Sequence, residues 1–431
     1  MIASDDEIRK ILVERIDVQH RSVGIVVGVI GPEGRRVIAY GHLDEGDTRP
    51  VNDDTVYEIG SITKVFTSLL LADMVQHGEV SLDDPVAKYL PPTVKMPERN
   101  GRSITLVDLA THTSGLPTPQ DFNPKDIAGY FKEQLYEFLS NCQLTRDIGS
   151  QFEYSGLGYA LLGHAVERKT DVDYESLVRS RICEPLGMKD TRIELTPEMK
   201  IRLAAGHNAA MKTVPNWDWG ASVFAGEGAL RSTVNDLLIF LSANLGIAKS
   251  PLAPAMAAML KVRRLRVPHG TEEIALAWVI STRDGREIIY HEGGTGGYRS
   301  WMGYDARARA GVVVLSNAAE GVVDIGRHLL DASFHLAKPH TEVQVDTRLF
   351  DGYVGNYQFR PDIVLTISRE GDRLFAQITW QAKFELFPES DRECFYKAVD
   401  AQLTFVTGDD GRATELILHQ GGRDSHAKRI D

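Results

Sequence analysis

A serine and a lysine lie one helical turn apart at the predicted start of a helix. Ser61 and Lys64 are three positions apart, and apolar residues recur around them at helical spacing: Ile62, Val65, Phe66, Leu69 and Leu70. Residues three apart project from one face of a helix, so the hydroxyl and the amine can meet. Backbone N–H groups at a helix N-terminus would stabilise an oxyanion, and a lysine held against an apolar face tends to lose its proton. The pair is a candidate activated nucleophile.

The same spacing occurs a second time, in Ser425 and Lys428, within a polar segment that has no apolar stripe. We interpret this second copy as accidental. The pattern at Ser61 alone is equally compatible with an N-capping serine beside a surface lysine. Further motifs are therefore needed to support a catalytic interpretation.

Three other segments carry side chains or backbone suited to chemistry. A turn-rich stretch, Thr111–Pro117, follows a predicted helix, and we interpret its His112 as a hydrogen-bonding scaffold residue. Tyr154-Ser155-Gly156 precedes a strong helical run, and the glycine-rich His291–Tyr298 follows a predicted strand. Taken singly, Tyr154 could be a buried tyrosine before a helix, and the glycine-rich stretch could be a plain hairpin turn.

In order and spacing, these four motifs resemble the serine hydrolases of the class C β-lactamase type. That superfamily also includes DD-peptidases, D-aminopeptidases, family VIII carboxylesterases and some acyltransferases. The resemblance covers about residues 5 to 336. The remaining C-terminal segment resembles the lipocalin-like β domain that is appended to some members.

The resemblance implies a role for each of the main site residues. Ser61 would be the nucleophile and Lys64 its neighbouring amine. Tyr154 would act first as general base and then as acid, its ionised form favoured by the lysine. His291 would help to orient the base and to bind a carboxylate or carbonyl. The backbone N–H groups of Ser61 and Gly294 would form the oxyanion hole.

The same resemblance makes Gly156, Gly293 and Thr295 the expected substrate-binding positions. Gly293 and Gly294 would let a substrate lie against the strand edge without obstruction by a Cβ atom. Gly156 departs from the family pattern, because asparagine is common there. Its amide is expected to bind a substrate's acyl-amide carbonyl and to position Lys64; a water or another polar residue could substitute. The departure favours ester cleavage over amide and β-lactam recognition.

A second departure is Glu292, where a threonine or another small residue is common. Strand alternation puts His291 and Gly293 on one face and Glu292 on the other, which favours a solvated charge. Facing the cleft instead, Glu292 would disfavour anionic substrates.

Composition excludes several other classes of function. The 431 residues carry 48 basic and 60 acidic side chains, a net charge of −12, so nucleic acid and anionic membranes are poor candidate partners. The three cysteines are far apart and suit a reduced compartment. No metal-binding spacing, cofactor motif, membrane span or secretory signal is visible, so we expect a cofactor-independent, metal-free cytoplasmic enzyme.

The elements that would position the motifs point to an α+β fold. Strands at both ends of the first part enclose a helical middle, including a hairpin of Val23–Ile30 and Arg35–Tyr40, a strand over Ala275–Thr282 and a closing helix over Val323–Leu336. This order predicts an antiparallel sheet flanked by helices, with a helical subdomain, over residues 1–338. Short alternating runs predict a small all-β barrel over residues 339–431.

The leading hypothesis is a serine hydrolase that cleaves a small ester or amide, of carboxylesterase or D-amino-acid peptidase type, through an acyl-enzyme on Ser61. A class C β-lactamase, and an acyltransferase or peptide cyclase using the same acyl-enzyme, remain alternatives. A non-catalytic penicillin-sensing or scaffold protein is a third class. The expected partner is a small ester, amide or peptide, and a homo-oligomer is possible.

Overall fold

Most strands belong to an open nine-stranded sheet in the first part of the chain or to a closed barrel at its end. The computed structural model describes residues 2–117, 131–219, 222–267, 270–338, 340–361, 363–379, 383–397, 401–420 and 423–431. The chain divides into two units, Met1–Leu330 and Asp331–Asp431.

The first unit contains the following elements. Its helices are α1 (Asp5–Val13), α2 (Thr63–Gln76), α3 (Leu106–Ala110), α4 (Lys132–Asn141), α5 (Gly156–Thr170), α6 (Tyr174–Val178), α7 (Glu184–Leu186), α8 (Pro197–Arg202), α9 (Ala225–Gly228), α10 (Val234–Asn244), α11 (Ala253–Met259) and α12 (Val323–Leu330). Its strands are β1 (Gly24–Gly31), β2 (Gly34–Asp44), β3 (Asp47–Pro50), β4 (Tyr57–Glu58), β5 (Glu98–Arg99), β6 (Arg102–Ser103), β7 (Gly206–His207), β8 (Thr213–Val214), β9 (Arg231–Ser232), β10 (Arg264–Leu265), β11 (Glu272–Ile274), β12 (Val279–Arg283), β13 (Arg286–Gly294), β14 (Arg299–Asp305) and β15 (Ala310–Ser316). Shorter helical turns are Glu14–Val18, Gly60–Ile62, Val86–Tyr89 and Arg179–Cys183.

The second unit is built mainly from strands. Its elements are a short turn Thr347–Leu349, α13 (Phe350–Tyr353), β16 (Gly355–Arg360), β17 (Ile363–Glu370), β18 (Arg373–Ile378), β19 (Lys383–Pro388), β20 (Glu393–Phe395), β21 (Ala401–Thr407), β22 (Ala413–Gln420) and β23 (Arg423–Arg429).

The large sheet brings the two ends of the first unit together. Its order is β10-β11-β12-β13-β14-β15-β1-β2-β3, and each pairing is antiparallel. β1 pairs with β15, with Val27 opposite Val314. Both strands are apolar and buried along most of their length, as expected for strands covered on both faces. The predicted α+β architecture is confirmed.

Helix α2, which follows Ser61, is buried on all sides. Every residue from Thr63 to Met74 is buried, including Lys64. The sequence predicts a narrower apolar stripe, but α2 contacts α5, α9 and α11 as well as the turn that precedes it. Phe66 packs on Phe240 of α10 at 4.7 Å between ring centroids. A helix enclosed in this way holds the side chains of its first turn in fixed positions.

The predicted strand over 275–282 begins only at Val279, the first residue of β12, because the residues before it form a turn. Ala277 has a φ of 64°, and the N–H of Ala275 donates to the carbonyl of Trp278 at 2.8 Å. This tight turn separates β11 from β12, although both strands stay in the sheet. The apolar run Ala275–Trp278 concealed the turn because its residues are buried and contain no glycine or proline.

The closing helix is shorter than predicted, since α12 ends at Leu330. The Asp331 carboxylate accepts hydrogen bonds from the backbone N–H and the hydroxyl of Ser333, at 3.0 and 2.7 Å. Such a local bond from an aspartate offers the backbone an alternative to another helical turn.

The second unit is a closed barrel of the eight strands β16 to β23, which confirms the predicted all-β barrel. β16 pairs with β23 to close it, with Tyr357 opposite Arg429. Apolar side chains fill the interior, and Tyr353 stacks on Phe405 at 4.2 Å between centroids.

The second serine–lysine pair belongs to this barrel. Ser425 and Lys428 lie three residues apart in β23, so strand alternation directs their side chains to opposite faces. A hydroxyl and an amine on opposite faces of a strand cannot act together. The interpretation of this pair as accidental is confirmed.

Within the described residues, no helix has the length and apolar character needed to cross a membrane.

Candidate active site

The segment that carries Ser61 packs backbone to backbone against the end of β13. Gly60 has a φ of 49°, and a Cβ added there would lie 2.6 Å from the Gly294 nitrogen. A Cβ added to Gly293 would lie 2.0 Å from the Ile59 carbonyl oxygen. Contacts this short leave room only for glycine. They bring the backbones of Ser61 and Gly294 close together, where the sequence predicts an oxyanion hole.

The space beside Gly293 and Gly294 is filled by the protein itself, whereas the sequence analysis expects a substrate there. At Gly293 the space is taken by the chain's own Ile59 and by the Ser300 hydroxyl, which would be 2.4 Å from an added Cβ. At Gly294 the neighbour is the Arg299 guanidinium, at 2.6 Å from an added Cβ. The glycines therefore allow close packing within the protein, rather than leaving a gap for a ligand at these Cβ positions.

Lys64 is fully buried and has a hydrogen-bond acceptor for each of its three ammonium protons. Its Nζ lies 2.9 Å from the Ser61 Oγ, 2.7 Å from the Glu227 carbonyl oxygen and 2.7 Å from the Glu227 Oε1. Burial lowers the pKa of Lys64, but the charge of Glu227 and the neighbouring Tyr154 outweigh burial and raise it overall. The general tendency of a buried lysine to lose its proton is outweighed here by a carboxylate that the sequence did not reveal, which agrees with the cationic neighbour that the resemblance implies for Tyr154.

Tyr154 completes a group of three polar side chains. Its Oη lies 2.7 Å from the Ser61 Oγ, and its ring centroid lies 5.0 Å from the Lys64 Nζ. Tyr154 is 46% exposed, so solvent reaches the phenol. The residue that follows, Ser155, caps α5 by accepting from the Gly158 N–H at 3.0 Å, which anchors the backbone beside Tyr154.

His112 supports the Tyr154 ring from behind. The two rings stack at 4.5 Å with an angle of 26°, and the His112 Nδ1 accepts the Ser155 N–H at 2.9 Å. Burial and then the charge of Lys64 lower the pKa of His112 well below its usual value, so the imidazole is neutral. Its Nε2 is buried without a partner among the described residues. These contacts agree with the scaffold role expected for His112.

His291 lies on β13 and is buried. Its Nδ1 is 2.6 Å from the Glu292 carbonyl oxygen, and a carbonyl only accepts, so we assign the ring proton to Nδ1. Burial and the charge of Lys64 lower the pKa of His291 to about 3, which leaves a neutral ring whose Nε2 can accept a hydrogen bond. Glu292 is exposed and alternates with the buried His291 and Gly293, as strand geometry predicts.

The other expected substrate-binding positions lie in the same region. Thr295 follows β13 and is buried, and its Oγ1 has no partner within the described part of the chain. Gly156 is the first residue of α5, where a Cβ would lie 3.1 Å from the Glu227 Oε1. Trp217 approaches Gly296, where an added Cβ would lie 2.7 Å from the indole Nε1.

Sequence reasoning missed two residues of this arrangement, Gly60 and Glu227. Gly60 directly precedes the serine, and its need for a positive φ is not visible without the neighbouring strand. Glu227 lies on the four-residue helix α9, far from Lys64 in the sequence. The one available signal was the missing side chain at Gly156, which implies that another polar group must contact the lysine.

The arrangement can move a proton away from an alcohol. The Ser61 hydroxyl lies between a phenol and an ammonium, at 2.7 and 2.9 Å. While the phenol is protonated, Tyr154 and Lys64 both donate to the Ser61 oxygen. Once the phenol is ionised it only accepts, so the serine proton can point towards the Tyr154 oxygen. The positive charge stabilises negative charge that develops on either oxygen.

Comparisons with known proteins identify the family of the chain. Residues 8–335 match the family Beta-lactamase, and residues 339–429 match a family described as Domain of unknown function (DUF3471). The D-alanyl-D-alanine-carboxypeptidase/endopeptidase AmpH of Escherichia coli (strain K12) is 32% identical over 309 residues, which cover 65% of this chain and 79% of that protein. Penicillin-binding protein 4* of Bacillus subtilis (strain 168) is 25% identical over 461 residues, covering 97% of each chain.

Solved structures show the same fold. The β-lactamase/D-alanine carboxypeptidase from Yersinia pestis, complexed with citrate, is 27% identical with a TM-score of 0.64, covering 73% of this chain and 92% of its own. The octameric penicillin-binding protein homologue from Pyrococcus abyssi is 22% identical with a TM-score of 0.69, covering 99% of this chain and 100% of its own; at that identity it supports the fold alone. With most of its first unit matched by the family, this chain belongs to the β-lactamase family and is a serine hydrolase of the class C β-lactamase and D-Ala-D-Ala carboxypeptidase type.

Proposed function

We propose that this protein hydrolyses small esters and amides, of carboxylesterase or D-amino-acid peptidase type, through an acyl-enzyme on Ser61. The observation that carries the proposal is the Ser61 Oγ placed 2.7 Å from the Tyr154 Oη and 2.9 Å from the Lys64 Nζ. The similarity to a D-alanyl-D-alanine-carboxypeptidase supports D-configured substrates among the amides.

Acylation begins from the ionised form of Tyr154, whose phenolate oxygen takes the Ser61 proton as Oγ attacks the substrate carbonyl carbon. Negative charge forms on the carbonyl oxygen, where the backbone N–H groups of Ser61 and Gly294 stabilise it. As the tetrahedral intermediate collapses, Tyr154 returns the proton to the leaving alcohol or amine. The acyl group remains bound to Oγ as an ester.

Deacylation repeats these steps with water. Tyr154 takes a proton from the water while the water oxygen attacks the acyl carbon, and the bond to the Ser61 Oγ breaks. The serine oxygen recovers the proton from Tyr154, and the acid is released. Lys64 stays an ammonium throughout, because its three protons are held by Ser61 and Glu227.

The remaining site residues orient the substrate. His291, neutral and with its proton on Nδ1, presents Nε2 as an acceptor. Thr295 offers a hydroxyl without an internal partner among the described residues, which suits a bond to a substrate carboxylate or carbonyl. Gly156, Gly293 and Gly294 supply backbone rather than side-chain contacts.

Hydrolysis is favoured over acyl transfer by one feature of the site. Tyr154 is 46% exposed, so water can reach the group that activates it. An acyltransferase or peptide cyclase gains from excluding water from its acyl-enzyme. A class C β-lactamase would use the same steps with a β-lactam in place of the ester.

The test compares Ser61→Ala with Ser425→Ala, which changes the serine of the accidental pair in the barrel. Both variants and the wild type are assayed with p-nitrophenyl acetate, a D-alanine p-nitroanilide and a chromogenic cephalosporin. Intact-mass spectrometry after exposure to each substrate shows which acyl groups attach and how long they persist.

We expect Ser61→Ala to lose ester turnover and acyl adducts, by a factor of at least about 10³ in kcat, since the variant lacks the hydroxyl that attacks the substrate. Ser425→Ala should match the wild type. Ester turnover retained by Ser61→Ala would refute the proposal. A persistent cephalosporin adduct without turnover of any substrate would instead support a sensing role.

A further inference from the structure

The Glu227 side chain lies next to the position that a side chain at Gly156 would take. Gly156 begins α5, and a Cβ added there would lie 3.1 Å from the Glu227 Oε1, 3.2 Å from its Cγ and 3.4 Å from its Cδ. Distances near 3 Å are shorter than ordinary van der Waals contact. A Cβ at position 156 would require Glu227 to shift by a few tenths of an ångström, and a longer side chain such as asparagine would compete with the carboxylate for the same space.

Residue 227 supplies two of the three acceptors that hold the Lys64 ammonium. One is its backbone carbonyl oxygen and the other its Oε1, both 2.7 Å from Nζ. The Lys64 side chain is 0% exposed, whereas that of Glu227 keeps 18% of its surface in contact with solvent. The carboxylate thus closes over the lysine while its outer side stays open.

The helix that carries Glu227 is held tightly on both sides. A Cβ on Gly226 would lie 2.9 Å from the Gly163 Cα, and a Cβ on Gly228 would lie 2.9 Å from the Trp219 ring. The Thr67 hydroxyl donates to the Gly226 carbonyl at 2.7 Å, which ties α9 to α2. With its neighbours fixed in this way, Glu227 has little freedom to leave Lys64.

We propose that Glu227 is the positioning residue for Lys64 in this protein and that its carboxylate makes the acyl-binding side of the site anionic. It takes over the task that a side-chain amide at position 156 would perform, in the space that Gly156 leaves. The specificity part of the inference rests on the proposed hydrolase function.

The exchange of an amide for a carboxylate has a chemical consequence. An amide offers both N–H donors and a carbonyl acceptor, whereas an ionised carboxylate only accepts. An acyl group whose amine is itself acylated presents a carbonyl that finds no donor on Glu227. An acyl group with a free ammonium presents donors that pair with the carboxylate. The site should therefore prefer acyl groups that carry a free amine.

The first test removes the charge and keeps the shape. In Glu227→Gln, Lys64 loses a carboxylate neighbour and burial lowers its pKa, so the alkaline limb of the kcat/KM profile for p-nitrophenyl acetate should move down by about 1–3 pH units. Glu153→Gln is the matched control, since Glu153 is an exposed carboxylate directly before Tyr154 that pairs with Arg146. A Glu227→Gln profile that superimposes on the wild type, or higher activity at neutral pH, would overturn the positioning role.

The second test measures acyl selectivity. We compare kcat/KM for D-alanine p-nitroanilide with that for its N-acetyl form, in the wild type and in Glu227→Gln. The wild type should prefer the free amine, and the ratio should fall by at least about tenfold in the variant, because a charge-assisted bond becomes a neutral one. An unchanged ratio would overturn the anionic character of the acyl side.

The third test exchanges the two groups. Gly156→Asn alone should lower kcat/KM for the acetate ester, because the new side chain displaces the carboxylate, and adding Glu227→Ala should restore at least about fivefold. Additive losses in the double variant would contradict competition between the two side chains for one space.

Thermal unfolding of each variant shows whether it folds. If Glu227→Ala does not fold, Glu227→Gln keeps the test valid. If the wild type shows no turnover that depends on Ser61, the proposed hydrolase function is wrong. That outcome differs from the outcomes that would refute the role of Glu227.

Discussion

Replacing Gly293 by alanine should displace the catalytic serine without changing any catalytic side chain. The added Cβ would lie 2.0 Å from the Ile59 carbonyl oxygen and 2.4 Å from the Ser300 Oγ. These two oxygens are themselves joined, since Ser300 donates to Ile59 at 2.8 Å. A carbon and an oxygen normally approach to about 3.3 Å, so Ile59 and β13 must separate by ~1.3 Å.

That displacement is transmitted to Ser61 along a short path. Ile59 precedes the serine by two residues, and Gly60 between them is packed against Gly294. A misplacement of about 1 Å can cost ~100-fold in rate, because the attacking oxygen leaves its productive geometry. Overpacking of a close-packed core costs about 1–3 kcal/mol. We therefore expect Gly293→Ala to lose roughly 100-fold in kcat/KM while folding with a modestly lower Tm.

The assay is p-nitrophenyl acetate hydrolysis together with thermal unfolding followed by circular dichroism. Gly46→Ala is the control, because an added Cβ there meets no atom within 4 Å. It should retain the activity and Tm of the wild type. The reasoning would be refuted by a Gly293→Ala protein that keeps both kcat/KM within about threefold and an unchanged Tm, since the close approach would then impose no constraint on the serine.

Two further predictions follow from the same geometry. Tyr154→Phe should reduce kcat for the acetate ester by about 10²–10⁴-fold, as expected for loss of a general base. Its Tm should change little, because Tyr154 is 46% exposed. A loss in kcat below tenfold would remove Tyr154 from the mechanism. The ring signals of His112 and His291 should not titrate between pH 5 and 9 in NMR spectra, because burial lowers both pKa values, that of His291 to about 3; a midpoint inside that range for either ring would contradict the neutral imidazoles.

The predicted catalytic group could be recognised because its members lie in short motifs with local geometry. The three-residue spacing of Ser61 and Lys64 places both on one helix face, and the structure brings Tyr154 to the same oxygen. The roles of Tyr154 and His291 came from the resemblance to a known family. The helix period supports the pairing of Ser61 with Lys64, and strand alternation separates His291 from Glu292.

Elements without a local pattern were harder to predict. β23, which closes the barrel, has Ala427 as its one buried apolar residue, so no alternation of apolar side chains marks it. It is held by backbone pairing to β22 and β16. Backbone pairing depends on neighbouring strands rather than on the strand's own side chains, so it leaves little trace in the sequence.

The protonation of Lys64 shows the same limit in chemical terms. Burial alone lowers the pKa of this amine, and the charge of Glu227 is the largest of the effects that raise it. The outcome is reversed by one carboxylate from α9, a helix too short for any periodic signal and flanked by glycines that allow it to approach. The only sequence signal for this carboxylate is the missing side chain at Gly156. A departure from a family motif is thus more informative about a missing partner than about lost activity, because a buried lysine requires acceptors from some part of the chain.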